Sequence, residues 1–183
     1  MTLTKLDKTP ALIAIDLQQG ILAIPMAHPT HKIIDKSAVL ARAFRRRGFP
    51  VVLVNVSGRA PGRTDQRHNS DPSANWTELA LELEQHPSDR VVTKLRWGAF
   101  HETGLHHQLI DMRVTQVVLC GIATSIGVES TARSAYEHGY DVVLVEDAMT
   151  DPDPEAHRHS VKKIFPRLGE VTQVSEMLKA LEG

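Results

Sequence analysis

The sequence predicts an α/β fold on a mostly parallel sheet. Two observations carry this. Short β-rich apolar runs alternate along the chain with segments of helical period. Those runs are apolar on both faces, as strands covered by helices on both sides must be. Strands that all run in one direction, joined by right-handed crossovers, place their carboxyl ends at one edge of the sheet. The 183 residues suffice for one domain with a sizeable core, and a single domain over 1–183 is the expected organisation.

In order, "ALIAID" (11–16) reads as a buried strand that ends on an acid. Residues 31–48 read as a helix, because Ile33, Ile34, Ala38, Ala41 and Phe44 recur every three or four positions. Arg45, Arg46 and Arg47 suit its negative end, and Gly48 suits the left-handed position beyond it. "VVLVNV" (51–56) is the second strand. The polar, turn-rich stretch 57–76 is a loop and a candidate lid. "RVVT" (90–93) is a third strand, and Thr103 is placed to cap a helix carrying Leu105, Leu109 and Ile110. "QVVLCG" (116–121) is the fourth strand, 125–139 a helix closed by Gly139, and "DVVLVED" (141–147) the fifth strand. Asp153 and Pro154 open a helix over 153–165 as N-cap and first helical residue. "EVTQ" (170–173) is a short sixth strand before a last helix.

Composition excludes several classes. With 42% hydrophobic and 23% charged residues, the chain is globular. A net charge of −1 offers no footprint for nucleic acid or a membrane surface, so the expected partner is a small molecule. No apolar run approaches a membrane span, and "MTLTKLDKTP" lacks the apolar core of a signal peptide. The single cysteine fits a reducing compartment; the expected location is cytoplasmic.

In parallel sheets ligands bind beyond the carboxyl ends of the strands. Asp16, Lys94 and the turn Thr124–Gly127 leave strands there. Alone, Asp16 reads as a backbone cap before a catalytic acid, and Lys94 reads as a solvated surface group. Together in a cleft they could form a desolvated pair that perturbs the acid.

Three stretches then resemble one family: "AIDLQQG", "TKLRWGAFHETGL" and "VVLCGIATSIGVESTARSAYEHGYDVVLVEDA". They resemble the isochorismatase-like hydrolases, a group that includes cysteine amidases beside true isochorismatases. The resemblance spans nearly the whole chain. It implies a three-layer α/β/α sandwich around a parallel six-stranded sheet. It also implies that Asp16 and Lys94 are the aspartate and lysine of a catalytic triad. The third member is a cysteine in a pattern like Thr-Asp-x-Cys-Val. Here that pattern reads Thr124-Ser125-Ile126-Gly127-Val128, with glycine at the nucleophile's place and serine at the acid's. True isochorismatases resemble this chain in carrying glycine there. In them the aspartate protonates a vinyl ether carbon, and water attacks the resulting cation. The resemblance further implies a cis peptide at Ile122–Ala123, with the Ala123 and Gly127 N–H groups as oxyanion donors.

Cys120 lies within a strand and reads as a small core hydrophobe. Ser125 fits an N-cap; hydrolysis through its hydroxyl is the competing route. Burial would favour Asp16 as an acid, and Lys94 would favour its carboxylate as a base, so both directions of proton transfer stay open. Gln18 could orient the acid or the substrate. Arg59 and Arg63 fit carboxylate binding and ordinary loop charge equally. Trp97 is a candidate pocket wall, Phe100 a core residue, and Asp147 a structural hydrogen-bonding group. The histidines do not cluster as ligands; Asp65 and His68 alone follow the second strand, so no metal and no cofactor is expected. The resemblance implies a homo-oligomer. A non-catalytic member that binds a ligand or serves an assembly is the competing class.

Overall fold

The computed structural model describes residues 3–65 and 74–183. Six strands form one sheet, every neighbouring pair parallel: β1 (Pro10–Ile15), β2 (Val51–Val56), β3 (Arg90–Lys94), β4 (Gln116–Ile122), β5 (Asp141–Thr150) and β6 (Glu170–Thr172). Their order is β3-β2-β1-β4-β5-β6. The chain therefore winds outward from β1 in one direction, then restarts at β4 and winds in the other. The switch point lies between the carboxyl ends of β1 and β4, where this architecture leaves a crevice.

Alternate residues of each strand face opposite layers. On one face, Leu12, Leu53, Val118 and Val143 pack against Ile34, Phe44, Met177 and Leu181. Those side chains come from α2 (Thr30–Arg46) and α6 (Val174–Glu182). On the other face, Ile13, Val52, Leu119 and Leu144 meet Leu105, Leu109, Ala132 and Phe165. These belong to α3 (Leu105–Asp111), α4 (Glu129–Glu137) and the segment after α5 (Pro154–His159). The three-layer sandwich follows. A four-residue helix, α1 (Gln19–Leu22), carries the chain away from β1.

Several boundaries differ from the sequence reading for local reasons. β1 ends at Ile15, because Asp16 turns the backbone to φ 51. Residues 125–139 are not one regular helix: a wide π-type turn, Thr124–Val128, precedes α4, with Val128 N–H reaching back to Ala123 O. Residues 153–165 likewise break into α5, a π-type turn Ser160–Ile164 and a tight turn from Phe165. The fifth strand runs to Thr150 rather than ending at residue 147. Gly104, in the left-handed region, caps α3 in place of Thr103, although Thr103 Oγ1 accepts the Leu105 N–H at 3.3 Å. Asp153 caps α5 as expected, accepting the Glu155 N–H at 2.8 Å. Gly48 (φ 70) and Gly139 (φ 85) end their helices in the left-handed region. The middle of the 57–76 loop, His68 included, lies outside the described residues.

Candidate active site at the sheet switch point

Gly121 lets the two central strands meet closely. It has φ 117, and a β-carbon there would stand 2.1 Å from the Ile15 carbonyl oxygen. Only glycine tolerates both demands. β4 therefore runs tight against the end of β1, and the turn that follows it folds back over Asp16.

Asp16 is 5% exposed and Lys94, the last residue of β3, 2%. Lys94 Nζ donates to Asp16 Oδ2 at 2.7 Å and to the Arg96 carbonyl at 3.2 Å. Asp16 Oδ1 is buried with no hydrogen-bond partner. Burial pushes the Asp16 carboxyl up from its ordinary 3.8 to about 6, and the Lys94 charge and hydrogen bond only partly offset that rise. The acid thus changes protonation close to neutrality, where proton transfer is most useful.

Gly127 stands opposite. A β-carbon on it would lie 3.2 Å from Asp16 Oδ2 and 3.0 Å from Ile15 Cγ2. Any side chain at 127 would crowd the Asp16 carboxylate, and glycine lets the turn approach it this closely. The Ile122–Ala123 peptide is cis. Ala123 O accepts the N–H groups of Ile126 and Val128, and Gly127 O accepts the Thr131 hydroxyl at 2.7 Å. Asp16, Lys94 and Gly127 are therefore brought to one place from three strand ends, with Ala123 at the start of the same turn as Gly127.

The other candidates fall differently. Gln18 is fully buried and its amide is spent on the scaffold: Nε2 donates to the Val56 and Trp76 carbonyls, and Oε1 accepts the Val56 N–H at 2.7 Å. That clamps the end of β2 and leaves no group for the acid or a substrate. Trp76 itself lies over Gly20, where a β-carbon would meet the indole at 2.0 Å. Trp97 is 63% exposed, while Phe100 is in the core. Arg59 is exposed, two residues past Ser57, whose N–H bonds the Lys94 carbonyl at 3.0 Å. Ser125 is not an N-cap. It sits inside the π-type turn, and its N–H and Oγ both donate to Asp151 Oδ2 at 2.8 Å. Asp147 does serve structure, holding Lys36 Nζ at 2.7 Å and the Val174 N–H at 2.8 Å.

Two features escaped the sequence reading. Asp151, just past β5, is 2% exposed and reaches the turn across the sheet edge. Asn55 donates to the Thr77 carbonyl at 2.8 Å, but its Oδ1 is buried without a partner. Among the described residues no group of three or more His, Cys, Asp or Glu is arranged to hold a metal ion.

Cys120 is fully buried, and burial pushes its thiol up to about 12. In the native protein it should resist a thiol reagent such as 5,5′-dithiobis(2-nitrobenzoate) at pH 8 and react in full once unfolded. Rapid native labelling would contradict its core placement.

The fold is a parallel α/β sheet with a buried carboxylate–ammonium pair at its switch point. The isochorismatase domain family matches residues 10–176, and the chain belongs to the isochorismatase family, a family of hydrolases. It is 41% identical over 184 aligned residues to an uncharacterised isochorismatase family protein of Escherichia coli O157:H7, covering 95% of this chain and 97% of that one. It is 35% identical over 176 residues to a ureidoacrylate amidohydrolase of Methylobacterium radiotolerans, covering 83% and 68%. Among solved structures, an isochorismatase family protein of Burkholderia thailandensis superposes with a TM-score of 0.88 at 42% identity, over 98% of each chain. No helix among the described residues is long and apolar enough to cross a membrane.

Proposed function

We propose that this chain hydrolyses a small enol ether without a covalent intermediate, with Asp16 carrying the proton. The observation behind the reading is the 2.7 Å Asp16–Lys94 pair, its acid raised to about 6, facing a glycine where a nucleophile's side chain would begin. Protonated Asp16 gives its proton to the vinyl carbon, and the ether oxygen's lone pair stabilises the adjacent cation. Water adds to that cation and loses a proton to the Asp16 carboxylate. The hemiketal then collapses to an alcohol and a carbonyl compound. Lys94 stabilises the carboxylate between these steps, and the Ala123 and Gly127 N–H groups serve the hemiketal hydroxyl oxygen, where negative charge develops as it loses its proton on collapse. In this reading Trp97 and Arg59, both exposed, supply an apolar wall and a carboxylate partner.

Cys120 does not enter this scheme, being buried with its thiol protonated. Nor does Ser125: no imidazole stands between its hydroxyl and Asp151, and that carboxylate already accepts three hydrogen bonds. A second reading, an activated amide attacked by water with Asp16 as base, is favoured by the likeness to the ureidoacrylate amidohydrolase.

The pH profile separates the two. Acid catalysis needs protonated Asp16, so kcat/KM on isochorismate, used as the enol-ether probe, should fall about tenfold per pH unit above about 6. Base catalysis needs the carboxylate, so the rate should instead rise through the same pH and level off. No hydrolysis of enol ethers by the wild-type protein would remove the first reading.

A further inference from the structure

We propose that Asp151 is a positioning residue of this site, a carboxylate supplied from just past β5 that holds the Ala123–Gly127 turn at its working distance from Asp16. The inference rests on the placement of the reaction at that turn.

Position 125 is serine, inside the turn that carries both N–H donors. The structure puts a carboxylate there from elsewhere. Asp151 Oδ2 accepts both the N–H and the hydroxyl of Ser125 at 2.8 Å, and Oδ1 accepts the Asp153 N–H at 3.1 Å. With both oxygens engaged and 2% exposure, Asp151 is neither a base nor a substrate contact. Ser125 stands two residues from Ala123 and two from Gly127, so this bond sets the middle of the segment carrying both N–H donors.

Asp151 is itself anchored. Its carbonyl accepts the Ala27 N–H at 2.9 Å, and the preceding Thr150 hydroxyl meets the His28 N–H and Nδ1. The turn's other side-chain tie to this region is Thr124 Oγ1 to His157 Nδ1 at 2.8 Å, from α5. α5 starts at the Asp153 cap, immediately after the residue pair that Asp151 organises. Charge-assisted bonds to a desolvated carboxylate are about twice as strong as neutral ones. Two of them from one residue fix orientation as well as distance. Small misplacements of reacting groups cost up to about a hundredfold in rate, so loosening this strap is expected to act on turnover more than on substrate capture.

The test compares wild type with Asp151→Ala, Asp151→Asn and Asp16→Asn, using isochorismate turnover and the amide resonances of Ala123 and Gly127. Asp151→Ala should lower kcat about ten- to a hundredfold with KM within about twofold, and displace both amide resonances by more than a linewidth. Asp151→Asn keeps an acceptor for Ser125 and should recover kcat to within about threefold of wild type. Unmoved amides, an unchanged kcat, or an Asn variant no better than Ala would overturn the proposal. Asp16→Asn keeps the two readings apart. If it is inactive while Asp151→Ala turns over normally, the strap fails and the reaction scheme stands. If wild type and Asp16→Asn are alike, the scheme fails and the amide shifts alone decide the role of Asp151.

Discussion

Asp16→Asn should lower kcat by about 10²–10⁴-fold, the range that a positioned acid or base contributes. Asparagine fills the same volume and still offers an oxygen to Lys94 Nζ, so the pocket keeps its shape. It cannot deliver a proton to the substrate or accept one from water. The buried lysine loses its counter-charge, so kcat should be measured under conditions where circular dichroism shows the variant folded. Substrate affinity, read by calorimetry on the inactive variant, should change little. A protein that retains the family pocket only to sense a ligand would behave otherwise: wild type would bind without turnover, and the substitution would remove nothing. Residual activity within tenfold of wild type would take Asp16 out of the chemistry.

Lys94→Met should cost about 3–5 kcal/mol at pH 8, because it leaves a buried carboxylate without its cation. For a chain of this length that is a fall in Tm of roughly 6–20 °C by calorimetry. The loss should shrink in acid, and the sign follows from Asp16. Its folded pKa, about 6, lies above the ordinary 3.8. The folded protein thus takes up this proton more readily than the unfolded chain. The group's stabilising contribution is full below 3.8 and is lost as pH rises through about 6. Removing the lysine takes away the influence that lowers this pKa, so the acid stays protonated to still higher pH. At pH 5 Asp16 is neutral in the variant and needs no cation. A Tm difference equally large at pH 5 and pH 8 would show that Lys94 stabilises by packing rather than by charge.

Much of the scaffold was legible in the residues because its signals are local. Two-sided apolar runs such as Ala11–Ile15 and Val51–Val54 mark strands whatever their neighbours, and Asp153–Pro154 marks a helix start by its own backbone chemistry. The parallel class followed, and with it the edge where Asp16, Lys94 and Gly127 belong. Periodicity gave no warning of the π-type turns at Thr124–Val128 and Ser160–Ile164, since the apolar spacing around them still reads as helix. Ser125 was misread as a cap for a related reason. Capping chemistry is inferred from the residue and its immediate neighbours, while the competing acceptor, Asp151, is far away in sequence.

By itself, then, the sequence determined which residue types could stand at the carboxyl edge of a parallel sheet, and that position 127 has no side chain. Tertiary structure alone decided the strand order that sets Asp16 against Lys94. It also decided the burial that raises the acid, the spending of Gln18 on the end of β2, and the reach of Asp151 across to Ser125. The physical reason is one of range. Strand and helix signals act over a few residues, whereas desolvation and hydrogen-bond partnership depend on everything folded around a group.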